Sequence, residues 1–136
     1  MTDYKSPDYH YVTPYLSIKG APDFIDFVVS TFGGTEGMRM LDDDGNIVHG
    51  EVRIADSTIM LTEDCDMLPA YASALYVYVP DVDASYAAAL AAGATSQEEP
   101  TDKPYGDRTA GITDRWGTRW YLATHVGTLA PSGGDS

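Results

Sequence analysis

The chain has 136 residues, 43% of them hydrophobic and 21% charged, which suits one ordinary domain and excludes an intrinsically disordered chain. Eight Lys and Arg stand against 21 Asp and Glu, a formal net charge of -13 at pH 7, so nucleic acid and anionic membrane surfaces are repelled. No run of about 18 apolar residues marks a membrane span.

A cationic small molecule or a basic partner would be attracted to such a chain, although acidity also serves solubility alone. The opening MTDYKSPDYHY carries no basic stretch followed by an apolar one, so no secretory signal is visible. The lone Cys65 rules out an intrachain disulfide and a cysteine-rich zinc cluster. The expected home is the reducing cytoplasm.

In chain order, residues 1–10 read as a flexible tail. Residues 12–18 (VTPYLSI) alternate like a strand, which Pro14 assigns to an edge or a strand start. Residues 21–32 place Phe24, Phe27, Val28 and Phe32 at helical spacing, with Pro22 near the start and Gly33-Gly34 at the end. Short strands are expected at 36–41, 47–54 and 58–61, with turns at 42–46 and 55–57. Residues 63–73 form an acidic linker.

The second half repeats the order. A strand at 74–79 leads to a helix at 82–92, which Gly93 stops. An extended piece at 94–98 and a loop at 100–107 follow. Strands at 108–113 and 118–124 are joined by the hairpin signal Asp114-Arg115-Trp116-Gly117. Residues 127–136 read as a second flexible tail. Each half is thus strand–helix–strand–strand–strand, at an offset of about 60 residues.

In this order of elements, TPYLSIKGAPDFIDF, YVPDVDASYAAALAAGAT and DRWGTRWYLATH resemble the vicinal oxygen chelate superfamily, in its glyoxalase, bleomycin-resistance and PhnB-like branch. The resemblance implies an α+β fold of two βαβββ modules, about 11–62 and 74–126, in one domain over 11–126. It further implies curled mixed sheets around a cleft, helices on the outer face and a homodimer.

Side-chain parity says what each sheet face carries. Val12, Leu16 and Ile18 oppose Thr13, Tyr15 and Ser17. Val48, Val52 and Ile54 oppose His49, Glu51 and Arg53. Leu75, Val77 and Val79 oppose Ala74, Tyr76 and Tyr78, and Trp120 and Leu122 oppose Arg119, Tyr121 and Ala123. Each strand has an aliphatic side for a helix and a side rich in polar and aromatic groups. The second side is either the solvated face of an open sheet or the lining of a ligand cleft; the residue types favour the cleft.

In metal-dependent relatives four inward side chains hold a divalent ion, and the resemblance carries those seats to Thr13, Glu51, Ala74 and Tyr121. Only Glu51 is a customary ligand, so no cofactor is expected; the alternative is one divalent metal at a relocated site built from His49 and Glu51, with His10 or His125. The candidate acid–base pair is Glu51 and His49, set against a purely structural pairing of Glu51 with Arg53 or Arg119. Cys65, among acidic neighbours, is a poor nucleophile.

The candidate ligand contacts are Tyr15, Arg53, Tyr76, Tyr78, Tyr105, Trp116, Arg119 and Tyr121. Two functions follow: a metal-free binder that sequesters an aromatic or cationic antibiotic, or a lyase, isomerase or dioxygenase working through Glu51 and His49. A protein-binding regulator is a third.

Overall fold

The computed structural model describes residues 4–127; most of the expected C-terminal tail lies outside them. The chain divides into two compact units, Met1–Tyr71 and Ala72–Ser136, each a βαβββ module with an open, mixed four-stranded sheet. No helix among the described residues is long and apolar enough to cross a membrane.

In the first unit β1 (Tyr15–Ile18), α1 (Ala21–Phe32), β2 (Thr35–Leu41), β3 (Ile47–Ile54) and β4 (Ser57–Glu63) form a sheet in the order β1-β4-β3-β2. β1 runs parallel to β4, and the other pairs are antiparallel. α1 starts after Gly20, whose φ of 97° is left-handed, with Pro22 in its first turn. Its apolar stripe, including Phe24, Ile25, Phe27 and Val28, is buried on one face of the sheet. The helix start is capped at a distance. The Gly20 and Ala21 amides donate to Glu63 Oε2 and Oε1 at 2.8 and 2.9 Å. Glu63, read from sequence as linker, is therefore the last residue of β4 and the cap of α1. Residues beyond it also return to β1: Ser17 Oγ donates to the Leu68 carbonyl at 2.7 Å and Tyr71 to that of Tyr15 at 2.6 Å.

Two parity expectations fail in this unit. Val12 lies outside β1 and is 86% exposed, because the ladder begins after Pro14. In β3 the pairing slips from Met40↔His49 to Leu41↔Ile47. This bulge turns Ile47 inward and leaves Val48 exposed.

In the second unit β5 (Ala74–Tyr78), α2 (Val82–Ala91), β6 (Thr95–Asp102), β7 (Asp107–Thr113) and β8 (Arg119–His125) form a sheet in the order β5-β8-β7-β6, with β5 parallel to β8. Asp81 caps α2 by accepting from the Ala84 amide. β6 runs on through Pro100 where a loop was expected. Proline is tolerated there because β6 is an edge strand with shifted register. At the β7–β8 turn the buried Asp114 accepts from the Trp116 and Thr118 amides and from Trp120 Nε1, at 3.0, 2.9 and 2.8 Å. Burial pushes its carboxyl above the ordinary value despite those donors.

Candidate functional site

In each unit the helix covers one sheet face, and the other face carries a carboxylate with aromatic partners. In the first unit the period of two puts His49, Glu51 and Arg53 on that other face. Glu51 is buried, and its Oε2 accepts from Tyr9 at 2.7 Å and from His49 Nε2 at 2.8 Å. Tyr9 comes from the segment expected to be a loose tail. Burial pushes the Glu51 carboxyl up, but the His49 and Tyr9 hydrogen bonds outweigh it and hold it below the ordinary value. The bond to Glu51, with burial behind it, raises the Tyr9 phenol.

Around this carboxylate, Gly37 on β2 leaves room: a Cβ there would lie 3.4 Å from Glu51 Cβ. The Tyr15 ring lies 6.0 Å from the His49 ring. Arg53 Nη1 donates to the Asp8 carbonyl at 3.0 Å and to Thr58 Oγ1 at 3.2 Å, and its charge also favours the ionised Glu51 carboxylate. The expected Glu51–His49 pair thus exists. Its carboxylate is ionised and committed to two donors, which makes it a weak proton acceptor and a good orienter of the imidazole.

In the second unit the exposed face is aromatic. Tyr76 and Tyr78 on β5 and Tyr121 on β8 are 48%, 59% and 40% exposed. The Tyr76 and Tyr121 rings stack at 6.5 Å with 23° between planes, and Tyr78 lies 5.5 Å from Tyr76. These rings are anchored. The hydroxyls of Tyr76 and Tyr78 both donate to Asp107 Oδ2, at 2.7 and 2.9 Å, while Asp107 Oδ1 meets His125 Nδ1 at 2.9 Å.

β8 lies between β5 and β7, and its residue opposite Tyr78 and Thr109 is the small, buried Ala123. That small residue lets two phenols on β5 reach across β8 to a carboxylate on β7. The His125, Tyr76 and Tyr78 bonds lower the Asp107 carboxyl against the effect of burial. Burial and the Asp107 bond push the Tyr76 phenol well above its ordinary value. The Tyr105 hydroxyl adds to that rise.

Sequence reasoning missed Asp107 because it fell in a presumed loop. The signal available was parity, since Asp107, Thr109 and Gly111 alternate on the same side as Tyr121 and His125 across the β7–β8 ladder. Trp116 and Arg119 stand apart from the anchored rings. Trp116 lies in the turn at the opposite end of the hairpin from Asp107, with the Arg115 guanidinium 4.7 Å over its ring. Arg119 donates to Gln97 Oε1 at 3.3 Å. In the first unit a depression lined by Tyr15, Asp42, Val48, Glu63, Asp64 and Cys65 includes only Tyr15 among the expected contacts.

No protein-family model matches the chain. It is 32% identical over 126 residues to the uncharacterized protein Mb0911c of Mycobacterium bovis, covering 85% of this chain and 83% of that protein. Rv0887c of Mycobacterium tuberculosis, also uncharacterized, is 32% identical over 126 residues, covering 85% and 74%. Among solved structures, TioX from Micromonospora sp. ML1 superposes with a TM-score of 0.70 at 24% identity, over 85% of this chain and 98% of that one. A glyoxalase/bleomycin resistance protein/dioxygenase superfamily member from Sphaerobacter thermophilus gives 0.64 at 19%, over 85% and 98%. The chain has the vicinal oxygen chelate fold. It belongs to one family with the two mycobacterial proteins. TnmS3, an antibiotic binding protein from Streptomyces sp. CB03234, has the same fold, with a TM-score of 0.67 at 22% identity over 89% and 99%.

A divalent ion does not fit the four seats carried over from metal-dependent members. Thr13 precedes β1 and spends its hydroxyl on the His10 carbonyl at 3.2 Å; Ala74 has no donor; and Tyr121 presents a stacked ring. Glu51 is also misplaced as a fourth ligand. The β1–β4 ladder pairs Tyr15 with Met60 and the β5–β8 ladder pairs Tyr76 with Tyr121, so the match for Tyr121 is Met60. Glu51 sits one strand over, opposite Met60. His10, a candidate for a relocated site, has its Nε2 on the Asp56 carbonyl at 2.9 Å. Among the described residues no three His, Cys, Asp or Glu side chains converge.

Proposed function

We propose that this vicinal oxygen chelate protein binds a flat aromatic small molecule, of the kind represented by an antibiotic, without a metal and without converting it. The observation that carries this reading is the tyrosine face of the second unit. Three rings stay exposed, and two are fixed by hydroxyl bonds to one buried carboxylate. Exposed tyrosines would ordinarily sample several rotamers; tethering their hydroxyls removes that entropy before a ligand arrives. Pre-set aromatic surfaces favour planar partners by stacking. The same fold in TnmS3 supports the reading. The homodimer and the cytoplasmic home belong to the same proposal. So does a small-molecule partner rather than nucleic acid, on the ground of the -13 charge.

The competing enzyme reading needs Glu51 as a base, and the two donors on its Oε2 oppose that role. The deciding experiment is thermal shift against planar polycyclic compounds and saturated analogues of similar size, with metal content measured on the same sample. Planar compounds should raise Tm selectively, and Tyr121→Ala should reduce the rise at least about tenfold in apparent affinity. Near one equivalent of bound metal, or turnover abolished by Glu51→Gln, would replace this reading with the enzyme.

A further inference from the structure

The geometry points to His125 as the hydrogen-bond acceptor for an acidic hydroxyl, phenol or enol, carried by the aromatic ligand of the tyrosine face. This rests on the proposed function above and narrows its ligand class.

Asp107 and His125 are directly paired at the open end of the β7–β8 ladder, so their side chains share the face that bears Tyr121. The Asp107 side chain is 4% exposed, whereas that of His125 is 64% exposed. An ionised carboxylate can only accept, so the 2.9 Å contact requires the proton to sit on His125 Nδ1. In the neutral ring Nε2 is then a lone pair, on the edge turned away from Asp107. Gly106 makes room for this ring. A Cβ there would meet the Gly127 carbonyl oxygen at 2.8 Å and His125 Cε1 at 3.3 Å, and its φ is 100°.

Beside the exposed Tyr121, whose hydroxyl can donate, Nε2 is the polar atom that can only accept. The Tyr76 and Tyr78 hydroxyls are spent on Asp107 Oδ2. Arg108, on the same strand, is held by Asp83 and Asp102. A lone pair next to stacked phenols receives a ligand O–H and rejects a carboxylate, which brings only further lone pairs. Because Tyr76 and His125 bond one carboxylate, a ring lying on the near-parallel Tyr76 and Tyr121 brings its substituents towards Nε2.

The test uses β-naphthol and its methyl ether as probes, with binding followed by fluorescence at about pH 8, where free imidazole is neutral and naphthol keeps its proton. Wild type should bind the naphthol about tenfold tighter than the ether. His125→Ala should erase that preference while keeping ether binding, and His125→Gln, whose amide oxygen accepts, should restore part of it. Tyr121→Ala should weaken both probes alike. Equal binding of the two probes by wild type, or a preference that survives in His125→Ala, overturns the hydroxyl-acceptor role and leaves the aromatic platform standing. Failure of both probes to bind overturns the platform and this inference together. Nitrogen NMR of the unliganded protein gives a ligand-free check. It should show Nδ1 protonated and Nε2 bare; the opposite tautomer sinks the proposal.

Discussion

In the first unit α1 buries Phe24, Phe27 and Phe32, and the helix supplies the bulk of the core. In the second unit α2 buries only Val82 and Ala89, and the bulk comes from the sheet, from Trp120, Leu122 and Ile112. The same order of elements is therefore filled from opposite sides. The exposed faces differ in a parallel way. The first keeps its carboxylate in mid-strand under two donors, whereas the second holds its carboxylate at a strand end and uses it to fix exposed rings. The two copies of a duplicated module thus commit a sheet-face carboxylate to different partners at different points of the strand.

The largest expected effect attacks the sheet-borne core. Trp120→Ala leaves a cavity and strips Asp114 Oδ2 of its donor, for an expected loss of about 4 kcal/mol in urea unfolding. A loss below about 2 kcal/mol would show that the second core does not depend on the sheet. Next comes the alanine helix: Ala89→Leu should cost about 2 kcal/mol by overpacking, since Ala89 has no exposed surface. A neutral result there would erase the contrast between the helices. Smaller again is the helix cap. Glu63→Ala frees two amides at the start of α1 and should cost about 1 to 2 kcal/mol, while Asp81→Ala, which frees one at α2, should cost about 1 or less.

The smallest effect is in pH dependence, and it has opposite signs within one unit. Asp107 titrates below its ordinary 3.8 when folded, so the native state holds fewer protons and its stabilisation is lost as pH falls through that region. Asp114 titrates above 3.8 when folded, so its contribution improves as pH falls. Asp107→Asn should therefore flatten the acid limb of the stability curve, and Asp114→Asn should steepen it. Identical limbs in both variants would contradict the two environments.

Much of this was legible in the sequence. The order of elements and the aliphatic sides of β5 and β8 follow from period and punctuation alone, because those strands are unbroken. Parity failed at Val48 because a bulge shifts register without any local sequence mark, and at Val12 because only pairing partners decide where a strand begins. Glu51 with His49 was visible as a same-side pair. The Asp107 cluster was not, since its tyrosines lie two strands away in space and 29 and 31 residues away in sequence. Nothing local to Pro100 reveals an edge strand, and hence β6 was cut short.

That edge has a consequence for how copies of the molecule meet. β6 reads Thr-Ser-Gln-Glu-Glu-Pro-Thr-Asp: it lacks one amide at Pro100, slips register twice and carries three acids. A strand from another molecule would find an interrupted ladder and a like-charged border there, and the border is a gatekeeper against fibril growth. Replacing Pro100 and its flanking glutamates with threonines would turn a closed margin into a template, and turbidity on storage would report it.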